Sequence, residues 1–163
     1  MTEALRHQCE AIKRAYPDAD SALIPILHAL QDAYGSITPE AVEDAAQLMN
    51  LSPAQVEGVT SFYTLFHRQP HGRFHLQVCD NLSCRLRGSD QLLAHLAERW
   101  HLEPGAPSRD GLFSLERVEC LAACGYAPAA QINLRYYYRL TPEKADRLLA
   151  ELEDGKEASG ERV

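Results

Sequence analysis

Four of the five cysteines in this sequence form two pairs, and thiols are the side chains here with the richest chemistry. Cys79 and Cys84 have four residues between them, and Cys120 and Cys124 have three. An odd number of cysteines excludes a complete set of disulfides, and thiols in a reducing compartment are seldom paired structurally. Two pairs that could together supply four thiolate ligands indicate a metal centre.

The spacing within the pairs narrows the kinds of metal centre. A thioredoxin-type dithiol needs two residues between its cysteines, and a Rieske centre needs histidine ligands for which no Cys-x-His motif is present. A four-thiolate zinc site and a [2Fe–2S] cluster both stay open, as does a set of structural cysteines that bind nothing. The wide spacers favour the iron cluster, because zinc usually has a two-residue knuckle in at least one pair.

The remaining reactive residues form no second site. Cys9 stands apart among polar residues and is interpreted as a spare thiol. The seven histidines are scattered, and His75, four positions before Cys79, is the candidate neighbour of the cysteine loops. The sequence has no glycine-rich phosphate loop and no nucleophile elbow. We therefore expect no catalytic residues, and neither NADH nor flavin bound to this chain.

The composition is that of a globular protein with an acidic surplus. Hydrophobic residues make up 45% of the 163 positions, and 16 basic against 23 acidic side chains give a net charge of −7. No basic block could neutralise phosphates, so nucleic acid is not an expected partner. No apolar run approaches the ~20 residues of a membrane span, and no secretory signal is visible. We expect a cytoplasmic protein without membrane insertion, peripheral to something larger.

The elements that must position the cysteines fall into two parts. Residues 1–69 predict short helices, with N-cap signals at Thr38 and Ser52 and a stop at Gly35. After residue 70, apolar and polar residues alternate. This pattern predicts strands at 74–78 and 112–118 that run towards Cys79 and Cys120. A helix bearing Leu92 and Leu96, a strand pair over 129–139 and a last helix after Thr141 complete the pattern. The last helix of the first part carries three aromatic residues, a grouping more typical of a core than of a docking contact: Phe62, Tyr63 and Phe66.

With these elements in place, the sequence resembles the thioredoxin-like [2Fe–2S] ferredoxin family, and within it the E-type subunits of NADH:quinone oxidoreductases. The resemblance covers about residues 20–150. It rests on the cysteines and on an ordered series of stretches: VEGVTSFY at 56–63, VC at 78–79, DGLF at 110–113, ECLAAC at 119–124, APA at 127–129, QIN at 131–133 and LTPEK at 140–144.

The resemblance implies an α+β architecture in three segments. Residues 1–69 would be an N-terminal helical bundle that docks on a partner, 70–153 a thioredoxin-like α/β domain, and 154–163 a flexible tail. Cys79, Cys84, Cys120 and Cys124 would hold one [2Fe–2S] cluster. The chain would be an electron-transfer subunit of respiratory complex I that exchanges electrons with FMN, with both FMN and NADH bound to a partner flavoprotein.

Two departures from the family pattern qualify this expectation. The family often has glycine where Ala122 stands, so the second cysteine loop could differ in geometry. It also tends to have acidic residues where Leu134 and Arg135 stand, which bears on partner contacts. The same fold would serve NAD-linked formate dehydrogenases or bidirectional hydrogenases, and a zinc-stabilised interaction module is the alternative from a different functional class.

Overall fold

A computed structural model describes residues 1–155 of the chain, and these residues divide into two compact units, one from Met1 to Pro70 and one that begins at His71. The predicted tail, 154–163, lies outside the described residues from position 156 onwards. No helix within residues 1–155 is long and apolar enough to cross a membrane. The two units are described separately below.

The first unit, all of which is described, is built from helices that begin where the sequence predicts caps. Thr38 Oγ1 accepts a hydrogen bond from the Ala41 N–H at 3.1 Å, and Ser52 forms a capping box with Gln55. Gly35 adopts a φ of 78° at the end of one helix, as a left-handed C-cap requires. The helices are α1 (Glu3–Ala15), α2 (Leu23–Tyr34), α3 (Pro39–Met49) and α4 (Pro53–Phe62).

The core of this unit corrects two interpretations of the sequence. Cys9 is fully buried on α1 beside the apolar face of α2, so its surroundings are hydrophobic rather than polar. Helix α4 ends at Phe62, whose side chain is 76% exposed, and Tyr63 is 43% exposed. Only Phe66 of the three aromatic residues enters the core, because the chain leaves the helix before reaching it.

The second unit is a mixed four-stranded sheet in the order β2-β1-β3-β4. Strands β1 and β2 are parallel, whereas β3 pairs antiparallel with both β1 and β4. The predicted strands are present within a residue or two of their expected ends, and the predicted helices that bear Leu92 and that follow Thr141 are present as well. The strands and α-helices of this unit are β1 (Phe74–Cys79), α5 (Leu82–Leu86), α6 (Ser89–Trp100), β2 (Phe113–Val118), β3 (Ala130–Ile132), β4 (Arg135–Tyr137) and α7 (Pro142–Glu153).

One face of this sheet packs against α6 and α7. Leu76 and Leu115 from the paired strands contact the buried faces of these helices, where Leu96 and Leu149 are almost completely enclosed. Alternate strand residues point to opposite faces, so His75, Gln77 and Glu116 lie on the other side. Thr141 caps α7 by accepting from the Lys144 N–H at 3.3 Å. The resulting frame holds the carboxyl ends of β1 and β2 together.

We predict that Cys9 stabilises the helical unit. Cys9→Ser should lower its free energy of unfolding by about 1–3 kcal/mol, because a hydroxyl would be buried among apolar groups. Denaturant unfolding followed by circular dichroism measures the change. The matched control is Gln8→Ser on the exposed side of α1, which should cost only a few tenths of a kcal/mol. Equal stability of both variants would contradict the buried position of Cys9.

Candidate metal centre

The two cysteine segments leave the sheet at the same edge. Strands β1 and β2 are parallel and in register, so that Cys79 lies beside Val118 at the end of each strand. The Asp80 N–H donates to the Val118 carbonyl at 2.9 Å and extends this pairing by one residue. Cys120 follows Val118 by two positions. Parallel pairing therefore delivers both segments to one side of the unit.

The first pair is buried and folds back on itself through α5. Asn81 caps this single turn of helix by accepting from the Leu82 N–H at 2.8 Å. Cys84 lies inside the helix rather than in the loop that the sequence predicted, and the structure corrects that point. Cys79 and Cys84 are only 3% and 2% exposed. The turn brings the Cys84 thiol close to that of Cys79, and both pack with the buried Ala127 and Ala129.

Burial is the main reason why the Cys84 thiol is a weak acid. Its pKa is raised to about 11, first by removal from water and further by the neighbouring Cys79 and Cys124. A backbone hydrogen bond from Ala129 acts in the opposite direction, because an N–H group stabilises the thiolate. A thiol in such a site binds metal only if the metal replaces its proton.

The second pair is exposed and lies on an irregular segment. Cys124 begins a turn of 3₁₀-helix over Cys124–Tyr126, and Cys120 accepts a hydrogen bond from the Ala122 N–H at 3.3 Å. Ala122 has a φ of 55°, in the left-handed region that favours glycine. The glycine expected from the family resemblance at this position therefore has a conformational reason.

Contacts between the two segments bring the thiols towards one another. The Cys79 thiol lies 4.0 Å from the carbonyl oxygen of Glu119, the residue before Cys120. Cys84 interacts electrostatically with Cys124, as its raised pKa reflects. Buried alanines enclose the first pair, and the Cys79 N–H donates to the Ala129 carbonyl at 3.0 Å. The four predicted ligands thus belong to one region of the second unit.

The donor set fits a two-iron cluster. Four thiols are available, and backbone N–H groups lie beside Cys120 and Cys84, where they can stabilise anionic sulfur. Across residues 1–155, no three or more cysteine, histidine or acidic side chains lie close enough together to hold a metal ion, so the fit rests on the type and number of the donors. The assignment of all four cysteines as ligands stays a prediction.

His75 does not join the cysteines. It lies four residues before Cys79 on β1, about 13 Å away at the spacing of a strand. Its ring contacts Ser114 Oγ at 2.8 Å and Glu116 Oε2 at 2.9 Å. Burial lowers the pKa of His75, and the hydrogen bond with Glu116 opposes that shift. This histidine belongs to a polar network on the outer face of the sheet.

Comparison with known families decides the nature of the centre. The sequence profile of the thioredoxin-like [2Fe–2S] ferredoxins matches residues 9–153, nearly the whole chain. The chain belongs to this family. Its cofactor is accordingly a [2Fe–2S] cluster, and its sheet with α6 and α7 is the thioredoxin-like fold of the family.

Relatives of this ferredoxin are subunits of NADH-linked complexes. It is 41% identical over 145 residues to an E-type subunit of the NADH-quinone oxidoreductase of Rhizobium meliloti, covering 89% of this chain and 86% of that protein. It is 42% identical over 137 residues to NADH-quinone oxidoreductase subunit 2 of Thermus thermophilus, covering 83% and 76%.

A solved structure shares the fold over most of the ferredoxin. An NAD⁺-reducing [NiFe]-hydrogenase in the air-oxidized state superimposes with a TM-score of 0.68 and 26% identity. The match covers 79% of this chain but only 23% of the hydrogenase chain. The same fold thus occurs within a larger chain of a different NAD-linked enzyme.

We predict that Ala122→Gly stabilises the second unit. Glycine removes the cost of a left-handed alanine, about 1–2 kcal/mol, and the greater freedom of the unfolded chain offsets part of it, leaving up to about 1 kcal/mol. Denaturant unfolding of the metal-free chain, followed by fluorescence of Trp100 in this unit, measures the gain. The neighbouring Ala123→Gly, at a φ of −111°, should instead destabilise by about 0.5–1 kcal/mol. Destabilisation by both substitutions would contradict the left-handed conformation.

Proposed function

We propose that this ferredoxin is an electron-transfer subunit of the NADH dehydrogenase module of an NADH:quinone oxidoreductase. Cys79, Cys84, Cys120 and Cys124 are the proposed ligands of its cluster. The observation that carries the proposal is the meeting of the two cysteine segments, with the Cys79 thiol 4.0 Å from the Glu119 carbonyl beside Cys120. The two relatives from NADH-quinone oxidoreductases support the choice of complex.

The cluster, when bound, supplies reversible one-electron transfer. The residues of this chain hold and insulate it. Burial of Cys79 and Cys84 keeps water from that side, and the Ala122 N–H directed at Cys120 stabilises negative charge on the sulfur. Cys120 and Cys124 are exposed, so the other side is open to a partner. The chain needs no active site of its own for this role.

The proposed partner is a flavoprotein subunit that holds FMN and the NADH site. Hydride transfer from NADH to flavin occurs there, and this chain exchanges single electrons with the flavin. This division agrees with a sequence that has cysteine ligands but no nucleotide-binding motif. The complex would place the chain in the cytoplasm, peripheral to the membrane.

The helical unit is the proposed docking region. Its last helix, α4, ends at Phe62, and Tyr63 follows directly. The side chains of these two residues are 76% and 43% exposed, and that of Leu65 is 44% exposed. Adjacent aromatic and aliphatic side chains exposed to water are typical of protein interfaces. The exposure of Phe62 favours the docking interpretation over the core interpretation.

A second candidate function is the equivalent role in an NAD-linked hydrogenase or formate dehydrogenase. The fold shared with the NAD⁺-reducing hydrogenase, at a TM-score of 0.68, supports the hydrogenase. Identities of 41% and 42% to NADH-quinone oxidoreductase subunits, against 26% to the hydrogenase, favour the first candidate.

We predict that each proposed ligand is required for the cluster. Each of Cys79→Ser, Cys84→Ser, Cys120→Ser and Cys124→Ser should remove one thiolate from an iron. The visible absorption and the iron and sulfide content of the anaerobically purified variant should therefore fall severalfold. The control Cys9→Ser should retain the full content. Loss of the cluster in that control, or its full retention in any one of the four variants, would contradict the ligand set.

We predict that Phe62→Asp weakens assembly. A charge at this exposed position should lower the yield of co-expressed FMN-binding subunit that purifies with the chain by at least tenfold, because the charge would be desolvated in the contact. The cluster absorption should stay unchanged. Ser61→Asp, an exposed neighbour on α4, serves as the control and should have a smaller effect. Undiminished co-purification of Phe62→Asp would exclude α4 from the interface.

A further inference from the structure

Four charged side chains form a network of ion pairs that includes the residues directly after Cys79 and Cys84. Arg117, near the end of β2, contacts Asp80 through Nη2 at 2.6 Å and Nε at 3.1 Å. Arg85 on α5 lies 3.2 Å from Asp80 and 3.2 Å from Asp90 at the start of α6. Arg117 Nη2 also lies 4.0 Å from Asp90. The group, which we call the charge quartet, consists of Asp80, Arg85, Asp90 and Arg117.

Each half of the first cysteine pair has a quartet member as its immediate neighbour. Asp80 follows Cys79 and Arg85 follows Cys84 in the sequence. Asp80 is 24% exposed, and its Oδ1 atom is buried without a hydrogen bond to any of residues 1–155, so its charge is balanced through the ion pairs. The quartet contains two acids and two bases and is neutral as a whole.

We propose that the charge quartet tunes the reduction potential of the cluster, an inference that rests on the proposed ligand set. One-electron reduction would make the net charge of the cluster one unit more negative, so a nearby net positive charge would stabilise the reduced form and raise the potential. The arginines act in that direction and the aspartates oppose them. Removal of one member unbalances the quartet next to Cys79 and Cys84.

The test is redox potentiometry of the full chain with its cluster, monitored by EPR at low salt. Asp80→Asn should shift the potential upwards and Arg117→Gln downwards, and the double variant should return towards the native value because its charges balance again. Each shift should shrink as salt is added, since screening acts over about 10 Å at 0.1 M. A structural role alone would shift both single variants in the same direction and leave the double variant no closer to the native value.

The control and the second pair of variants keep the test decisive. Arg99→Gln removes a charge from the exposed end of α6, about 13 Å along the helix axis from Asp90, and should shift the potential least. If a variant at Asp80 or Arg117 loses its cluster, Arg85 carries the test: Arg85→Gln should lower the potential and Arg85→Lys should preserve it.

The results separate this inference from the proposed function. Shifts of the same sign, or no shift, in variants that hold the cluster would overturn the role of the quartet alone. A native chain that binds no iron and sulfide would overturn the proposed function itself. Opposite shifts that cancel in the double variant would support both.

Discussion

The parallel pairing of β1 and β2 is the constraint on which the centre depends. Because the strands run in the same direction and in register, Cys79 and Val118 end at one edge, and the segments that follow must leave there together. An antiparallel arrangement would send the two cysteine pairs to opposite ends of the sheet. Cysteine pairs that are far apart in the sequence are thus brought to the same end of the sheet by the pairing of two strands.

The two pairs then provide different surroundings for the same chemistry. Cys79 and Cys84 are enclosed by alanines and held by the turn of α5, whereas Cys120 and Cys124 lie on an exposed segment shaped by the left-handed Ala122. Enclosure on one side restricts water, and exposure on the other leaves the second pair accessible. The proposed electron-transfer role would use both features.

Local signals in the sequence predicted most of the fold. Caps at Thr38, Ser52 and Thr141 and the alternation over 74–78 fixed element positions, because these features act through neighbouring residues. Local patterns do not predict the exposure of Phe62 or the helix around Cys84, because both depend on where the chain turns after a helix or strand ends. The sequence does not predict the burial of Cys9 either, because its neighbours His7, Gln8 and Glu10 are polar and point at least partly towards water. The charge quartet could not be predicted from the sequence, because its four residues come from four segments that only the fold brings together.

The native chain offers the most direct test of the central claim, that the cysteine segments hold a two-iron cluster. Anaerobically purified protein should contain two irons and two acid-labile sulfides per chain, and one-electron reduction should produce the EPR signal of a single unpaired electron. A colourless protein that contains zinc and no acid-labile sulfide, even after anaerobic reconstitution with iron and sulfide, would contradict the account.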